Sequence, residues 1–386
     1  MNWKMKFGRN WGRLGMKSKL SDICSYRKEK IAVAELDRGN YISTENMLPD
    51  KNGVTTATSL PTTIQTQKYA KGDILVSNIR PYFKKIWFAD KNGGCSNDVL
   101  VFKTKEGTDP RYLYYVLAND PFFEYSMATA KGTKMPRGDK KALMEYEVPD
   151  YDLKEQNKIA GVLSAIDDKI QLNNKINKNL SEQLQALYTS EFDVTIHHAT
   201  AKLSDICHYS VEKVNVDELS TKTYYSTENM QPNKVSSVEA TNLPNIKQTT
   251  RCHKGDVLVS NIRPYFKKIE YVTTECGCST DVLCFVPASK ELSAFLYETL
   301  YADRFFDYMV AGSKGTKMPR GDKQQIMQYE VVMPSSEQLL AFNAAATPML
   351  ALITNGLLEN ERLSMLRDSL LPRLMAGELD VSDIDF

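Results

Sequence analysis

Two kinds of hydrophobic pattern alternate along this chain. Short apolar runs such as Ile74-Leu75-Val76 and Val99-Leu100-Val101-Phe102 are broken by Gly, Pro and Asn, which predicts strands joined by turns. Helical patches such as Tyr112–Leu117 sit among them, so this stretch reads as a mixed α+β domain. After Pro149 the period becomes helical. Ile159, Leu163, Ile166, Ile170, Asn173, Asn177, Leu180, Leu184 and Leu187 follow one another in steps of four and three. That is a coiled-coil seam, and its two Asn fix register at a cost in stability. An amphipathic helix packed only on its own domain is the competing reading, and polar residues at seam positions argue against it.

The whole pattern then starts again. Lys19-Leu20-Ser21-Asp22-Ile23-Cys24 returns as Lys202–Cys207, and Ser43–Met47 returns at the same offset as Ser226–Met230. Gly72–Ile86 returns at Gly255–Ile269 with one change, Ile74 to Val257, and Lys131–Lys140 returns unchanged at Lys314–Lys323. The offset holds without a gap from Lys19 to Val148, with roughly half the positions identical. A period this long makes each copy a domain rather than a solenoid unit.

A second helical stripe begins at Glu337, with Leu339, Phe342, Ala346, Met349 and Ile353 on one face and Leu363, Leu366 and Leu370 continuing it. Pro348 is a candidate kink and Pro372 the expected stop. Two long helices with complementary stripes pack most simply on each other. The expected fold is α+β: two similar domains, each followed by a long helix, the helices forming an antiparallel coiled coil with pseudo-twofold symmetry. A helix of roughly 34 residues is about 50 Å long, more than the ~34 Å of one turn of B-DNA. The boundaries expected are a basic extension at 1–18, domains at 19–150 and 193–335, a helix at 151–192, and a second helix with tail at 336–386.

Composition narrows the function classes. The 386 residues carry 49 Lys+Arg against 48 Asp+Glu, so a uniformly basic nucleic-acid coat is excluded while local patches are not. Seven cysteines are too sparse for a disulfide scaffold and point to a reducing, cytoplasmic setting. No uninterrupted apolar run approaches the ~18 residues of a membrane span, so no membrane partner is expected. The stretch 1–18 holds Lys4, Lys6, Arg9, Arg13 and Lys17 with no acid and no apolar core behind them, which reads as a basic extension rather than a signal peptide.

Catalytic motifs are scarce. There is no GxGxxG and no GxxxxGK[ST], and none of His197, His198, His208 and His253 has a histidine at the matching position of the other copy. Asn78–Phe83 shares Asn, Pro and Tyr with the signature of adenine-N6 methyltransferases, but its first proline and any upstream glycine-rich loop are missing. Cys252, His253, Cys276 and Cys278 form an imaginable zinc set. Their counterparts are Tyr69, Ala70, Gly93 and Cys95, so buried thiols are the better reading and no metal is expected.

What both copies keep is basic and polar. Ser77, Asn78, Arg80, Tyr82, Lys84 and Lys85 cluster around a turn set by Pro81, matched by Ser260, Asn261, Arg263, Tyr265, Lys267 and Lys268. Lys131, Thr133, Lys134, Arg137 and Lys140 lie in a Gly- and Pro-punctuated loop, matched by Lys314, Thr316, Lys317, Arg320 and Lys323. Guanidinium and ammonium groups interleaved with hydroxyl and amide donors suit phosphates and base edges. A solvated charged loop is the plainer alternative, weakened by the retention of both runs through a duplication.

These residues resemble one family. Two similar α+β domains, each followed by a long helix, is the plan of the specificity subunit of type I restriction–modification enzymes. Tyr41–Met47, Lys71–Ile86, Glu155–Tyr188 and Leu366–Val381 resemble its phrases, and the likeness spans essentially everything after residue 18. The resemblance implies a non-catalytic DNA reader in which each target recognition domain reads one half of a bipartite double-stranded target. The helices would set the gap and dock two modification subunits carrying S-adenosylmethionine. Restriction subunits using ATP and Mg would join through those, and this chain itself would hold no cofactor. The nearest alternative is the specificity subunit of a type IIB system; a methyltransferase or nuclease in its own right is a more distant one. The two domains are more alike than is usual in the family, which predicts a target approaching an interrupted palindrome. The copies differ most at 48–67 against 231–250, at 87–93 against 270–276, and at 104–112 against 287–295.

Overall fold

The computed structural model describes residues 17–379 and 381, which fall into two compact units. The first holds the first domain, the start of the first long helix and the end of the second. The other holds the second domain with the remaining halves of both helices. The basic extension expected at 1–18 lies outside the described residues up to residue 16. Lys17 and Ser18 belong to the first strand and pair with Pro149 and Val148.

In the first domain, β1 (Lys17–Lys19) runs into a single helical turn, α1 (Leu20–Ile23). Then follow β2 (Cys24–Tyr26), β3 (Lys30–Ala32), β4 (Tyr41–Ile42), β5 (Gln65–Tyr69), β6 (Ile74–Ser77), β7 (Ile86–Phe88), β8 (Gly93–Cys95) and β9 (Val99–Thr104). Helices α2 (Pro110–Ala118), α3 (Asp120–Ala128) and α4 (Lys140–Met144) precede β10 (Glu147–Pro149), which closes on β1. Asp109 starts α2 by accepting the Tyr112 amide at 2.7 Å, with Pro110 at the first helical position.

Two four-stranded sheets result. One is antiparallel in the order β2-β9-β6-β7; the other has the order β3-β5-β8-β4, with β4 parallel to β8. The first sheet is buried on both faces, which is why its strands read as unbroken apolar runs rather than alternating ones. Ile74, Val76, Leu100 and Phe102 face a core shared with α2 and α3, while Leu75, Val99 and Val101 face Ile42, Met47 and Tyr69.

The second domain repeats these elements at the constant offset of the sequence repeat, from Cys207–Tyr209 through Val257–Ser260 and Val282–Pro287 to Ser293–Tyr301. The offset extends into the long helices: Leu153–Phe192 and Ser336–Met375 are each 40 residues. Pro372 does not stop the second one, which continues to Met375. A proline withholds only its own amide, and the Ala376 amide still reaches the Pro372 carbonyl at 2.9 Å. By length and composition this helix is also apolar enough to cross a bilayer, a property hidden by the polar residues that interrupt its run.

Within each unit the helix segments run antiparallel. In the first, Tyr151 donates to the Leu374 carbonyl at 2.9 Å and Asp167 pairs with Arg367 at 3.0 Å, while Ile159 and Leu163 share a core with Leu371, Leu374 and Met375. In the second, Leu184, Tyr188 and Phe192 pack with Phe342, Ala346 and Leu350. There Asn173 donates to Asn360 at 2.9 Å and to Glu359 at 2.8 Å. Of the seam residues, Ile159, Leu163, Ile166, Asn173, Asn177 and Leu184 are buried, and Ile170, Leu180, Leu187, Ile353, Leu363 and Leu370 are half-buried. Leu366 is a correction: it is 47% exposed, because Arg367, the next residue along, takes the inward position and meets Asp167.

Candidate nucleic-acid interface

Between β6 and β7 the chain makes a one-turn 3-10 helix, Pro81–Phe83, flanked by Arg80 (φ +49°) and Lys84 (φ +48°). Left-handed backbone costs a residue other than glycine about 1–2 kcal/mol, so something must hold it. Tertiary pairing does. The Arg80 amide donates to the Pro136 carbonyl at 2.8 Å, and the Gly138 amide donates to the Asn78 carbonyl at 3.2 Å. Lys131 and Arg137 exchange amide bonds of 2.9 Å, folding their loop into a narrow clip against the turn.

The third identical segment joins them. Lys85 donates its ammonium to the Thr44 carbonyl at 2.7 Å, tying Ser43–Met47 to the same place. The second domain repeats each bond: Arg263 to Pro319 at 2.8 Å, Gly321 to Asn261 at 3.1 Å and Lys268 to Thr227 at 2.5 Å. Three runs that lie far apart in sequence, and are identical between the copies, therefore form one surface in each domain.

That surface sorts the candidates. Ser77, Asn78, Ser260 and Asn261 are buried inside the turn, behind its exposed face. Ser77 donates to the Ile79 carbonyl at 3.1 Å, and Asn78 lies against Gly138, where an added Cβ would come within 2.9 Å of its Oδ1. Lys85 and Lys268 are spent on carbonyls, and burial pulls both ammonium pKa values down. Lys84 and Lys267 pair with Asp120 and Asp303 at 3.0 and 2.9 Å. Arg137 and Arg320 pair with Asp98 and Asp281 at 3.2 and 3.0 Å, on the rim. Lys131 and Lys314 pair with Asp139 and Asp322 at 2.5 Å. The Lys131 bond, with the Ala142 and Lys141 amides, holds the Asp139 carboxyl down at about 2.

Among the described residues, no ion pair holds Arg80, Lys134, Lys140, Arg263, Lys317 or Lys323. The ammonium of Lys323 instead sits 5.8 Å from the Tyr209 ring centre. Among the described residues, the Nε of Arg80 and of Arg263 is buried without a hydrogen-bond partner. Lys134 and Thr133 are fully on the surface, as are Lys317 and Thr316. Beside these cations the ring of Tyr82 (49% exposed) lies tilted with its centre 4.6 Å from that of Phe83, and Met135 is also open; Tyr265, Phe266 and Met318 repeat this. Phe83, Met135, Phe266 and Met318 escaped the sequence reading, though an apolar residue kept inside an otherwise polar identical run was the available signal. Arg with aromatic and aliphatic neighbours can take phosphates or guanine edges through the fork and thymine methyls through the rest.

The thiols play no part here. All seven cysteines are free and buried, and burial pushes Cys24 and Cys95 up to about 12. His253 turns to Glu275 and Glu212 at 2.8 and 3.1 Å. Among the described residues no cluster is placed to hold a metal ion.

The duplicated α+β domain presents one basic–aromatic surface per copy, with the chemistry that suits phosphates and base edges. A family model described as the type I restriction modification DNA specificity domain matches residues 15–182. The specificity subunit of the type I restriction enzyme HindI from Haemophilus influenzae is 22% identical, with 80% of this chain and 87% of the relative covered. The MjaIX specificity subunit of Methanocaldococcus jannaschii is 23% identical over 72% of this chain and 71% of its own. In fold, the specificity subunit of a type I restriction–modification system from M. genitalium superposes with a TM-score of 0.57 at 18% identity, covering 97% of this chain and 99% of that one. The chain is thus similar to type I restriction–modification specificity subunits, through the family model over residues 15–182 and through relatives aligned along most of its length.

Proposed function

We propose that this chain is the non-catalytic DNA reader of a cytoplasmic type I restriction–modification assembly, each domain engaging one half of a bipartite duplex target. One observation carries this: the three segments identical between the copies meet on one exposed surface in each domain, with Arg80, Lys134, Tyr82 and Met135 in one and Arg263, Lys317, Tyr265 and Met318 in the other. The long helices set the separation of the half-sites and dock two modification subunits, through which restriction subunits join. S-adenosylmethionine, ATP and Mg belong to those partners; this chain has no glycine-rich loop for a nucleotide. The relatives are all of type I, which disfavours the type IIB setting.

The test is binding of the full chain, with and without a modification subunit, to duplexes over a salt series. Tight binding to a two-part sequence, weakening as salt rises, is expected. Equal affinity for every duplex in both preparations overturns the reading.

A further inference from the structure

Resting on the reading above, we propose that the two halves of the target carry the same bases except where two short loops, Asn52–Thr56 and Val235–Glu239, make them differ. The first part follows from the surface already described. Every exposed residue of the turn and clip is identical in the two domains, held by the same backbone bonds. Whatever bases Arg80, Tyr82, Lys134 and Met135 read in one half, Arg263, Tyr265, Lys317 and Met318 read again in the other.

The second part follows from what is stitched to that surface. In the first domain the Asp50 and Lys51 amides donate to the carbonyls of Phe83 and Lys84 at 2.9 and 3.0 Å. In the second, Asn233 and Lys234 donate to Phe266 and Lys267 at 2.7 and 2.9 Å. The loop after each pair is thus presented at the same place, but its side chains change. Exposed Asn52, Thr55 and Thr56 become exposed Val235, Val238 and Glu239. Asn suits the adenine edge, whereas Val suits a thymine methyl and Glu the amino group of cytosine. The supports below the loops change in step. Gly53 lies over Trp87, while Ser237 donates its hydroxyl and amide to the Glu270 carboxylate at 2.6 and 2.8 Å.

The experiment is selection of the full chain, with its modification subunit, on random-sequence duplexes long enough for two half-sites. The result expected is a two-part motif whose halves share most bases, in either mutual orientation. A grafted chain carrying Asn52→Val, Gly53→Ser, Val54→Ser, Thr55→Val and Thr56→Glu, with Trp87→Glu as support, then makes the halves alike. Its preference shifts by about tenfold at each base pair where they had differed. The reciprocal graft in the second domain is the check if this one does not fold, and the unaltered chain needs no graft. A two-part motif with unrelated halves overturns the inference and leaves DNA reading intact. A shared motif that neither folded graft alters overturns the assignment of the loops. No enriched sequence at all defeats the underlying reading itself.

Discussion

The amide of Arg80 is bonded to the carbonyl of Pro136, far along the chain, at 2.8 Å, and Arg263 repeats the bond with Pro319. Together with the Gly138–Asn78 bond, this link joins two basic loops into a single surface, with Arg80 at φ +49°. Because glycine adopts that conformation without strain, Arg80→Gly removes the guanidinium with less disturbance than Arg80→Ala. The expected outcome for Arg80→Gly with Arg263→Gly is weaker duplex binding. If the guanidinium meets phosphate, the loss is uniform across sequences and the salt slope falls by about one unit per contact. If it meets guanine, one position of each half-site relaxes by about 1–3 kcal/mol. Unchanged affinity and specificity in a salt-titrated binding assay would remove both arginines from the interface.

Tyr69 and Gly93 stand opposite each other across β5 and β8, and the second domain has Cys252 and Cys276 there. A Cβ at Gly93 would come within 2.5 Å of the Tyr69 hydroxyl and 2.1 Å of the Asn40 carbonyl, which that hydroxyl binds at 2.8 Å. Tyr69→Cys alone leaves a void costing about 3 kcal/mol, and Gly93→Cys alone overpacks by a similar amount. The double variant is expected to lose clearly less than the two losses together. Strict additivity in denaturant titrations would contradict the coupling.

Glu298 is 2% exposed and, among the described residues, its Oε2 has no hydrogen-bond partner; burial raises its carboxyl to about 8, with Lys234 opposing. The folded state therefore holds a proton that the unfolded state gives up near pH 4.5. Stability from this group is present below that pH and is lost as pH climbs toward 8. Glu298→Gln should flatten that decline, so the variant gains on the parent between pH 5 and 8 in melting experiments. Parallel pH profiles of the two proteins would refute it.

Asn177 faces Gly356 in the helix pair, where an added Cβ would sit 2.6 Å from Asn177 Oδ1, and among the described residues Asn177 Nδ2 has no hydrogen-bond partner. Gly356→Ala gains about 1 kcal/mol of helix propensity but crowds a buried amide. It is expected to destabilise the parent and stabilise an Asn177→Ala background. A change of the same sign in both backgrounds, read from denaturant midpoints, would rule out the steric account.

Much of this was legible in the chain because the repeat doubles every local signal. The apolar runs of β6 and β9 and the stripe from Ile159 to Leu187 each specify their own structure through periodicity. What stayed hidden depends on contacts between distant segments. Nothing in the local sequence distinguishes Lys85, whose ammonium meets a carbonyl contributed by Thr44, from Lys134, which stands exposed. Ser77 and Asn78 look like ligand donors until Pro136–Gly138 folds over them. Leu366 carries the heptad spacing, yet Arg367 is the residue that reaches Asp167 across the helix pair.

The two 40-residue helices occupy matching positions of the two repeats. Each compact unit combines one domain, the first half of the helix that follows it and the last half of the other repeat's helix. A chain cut to one domain and the helix that follows it would leave that unit without its second helix segment, unless the helix end of another molecule took the place of the missing repeat. Asn52–Thr56 against Val235–Glu239 marks where two otherwise matching copies have come to differ.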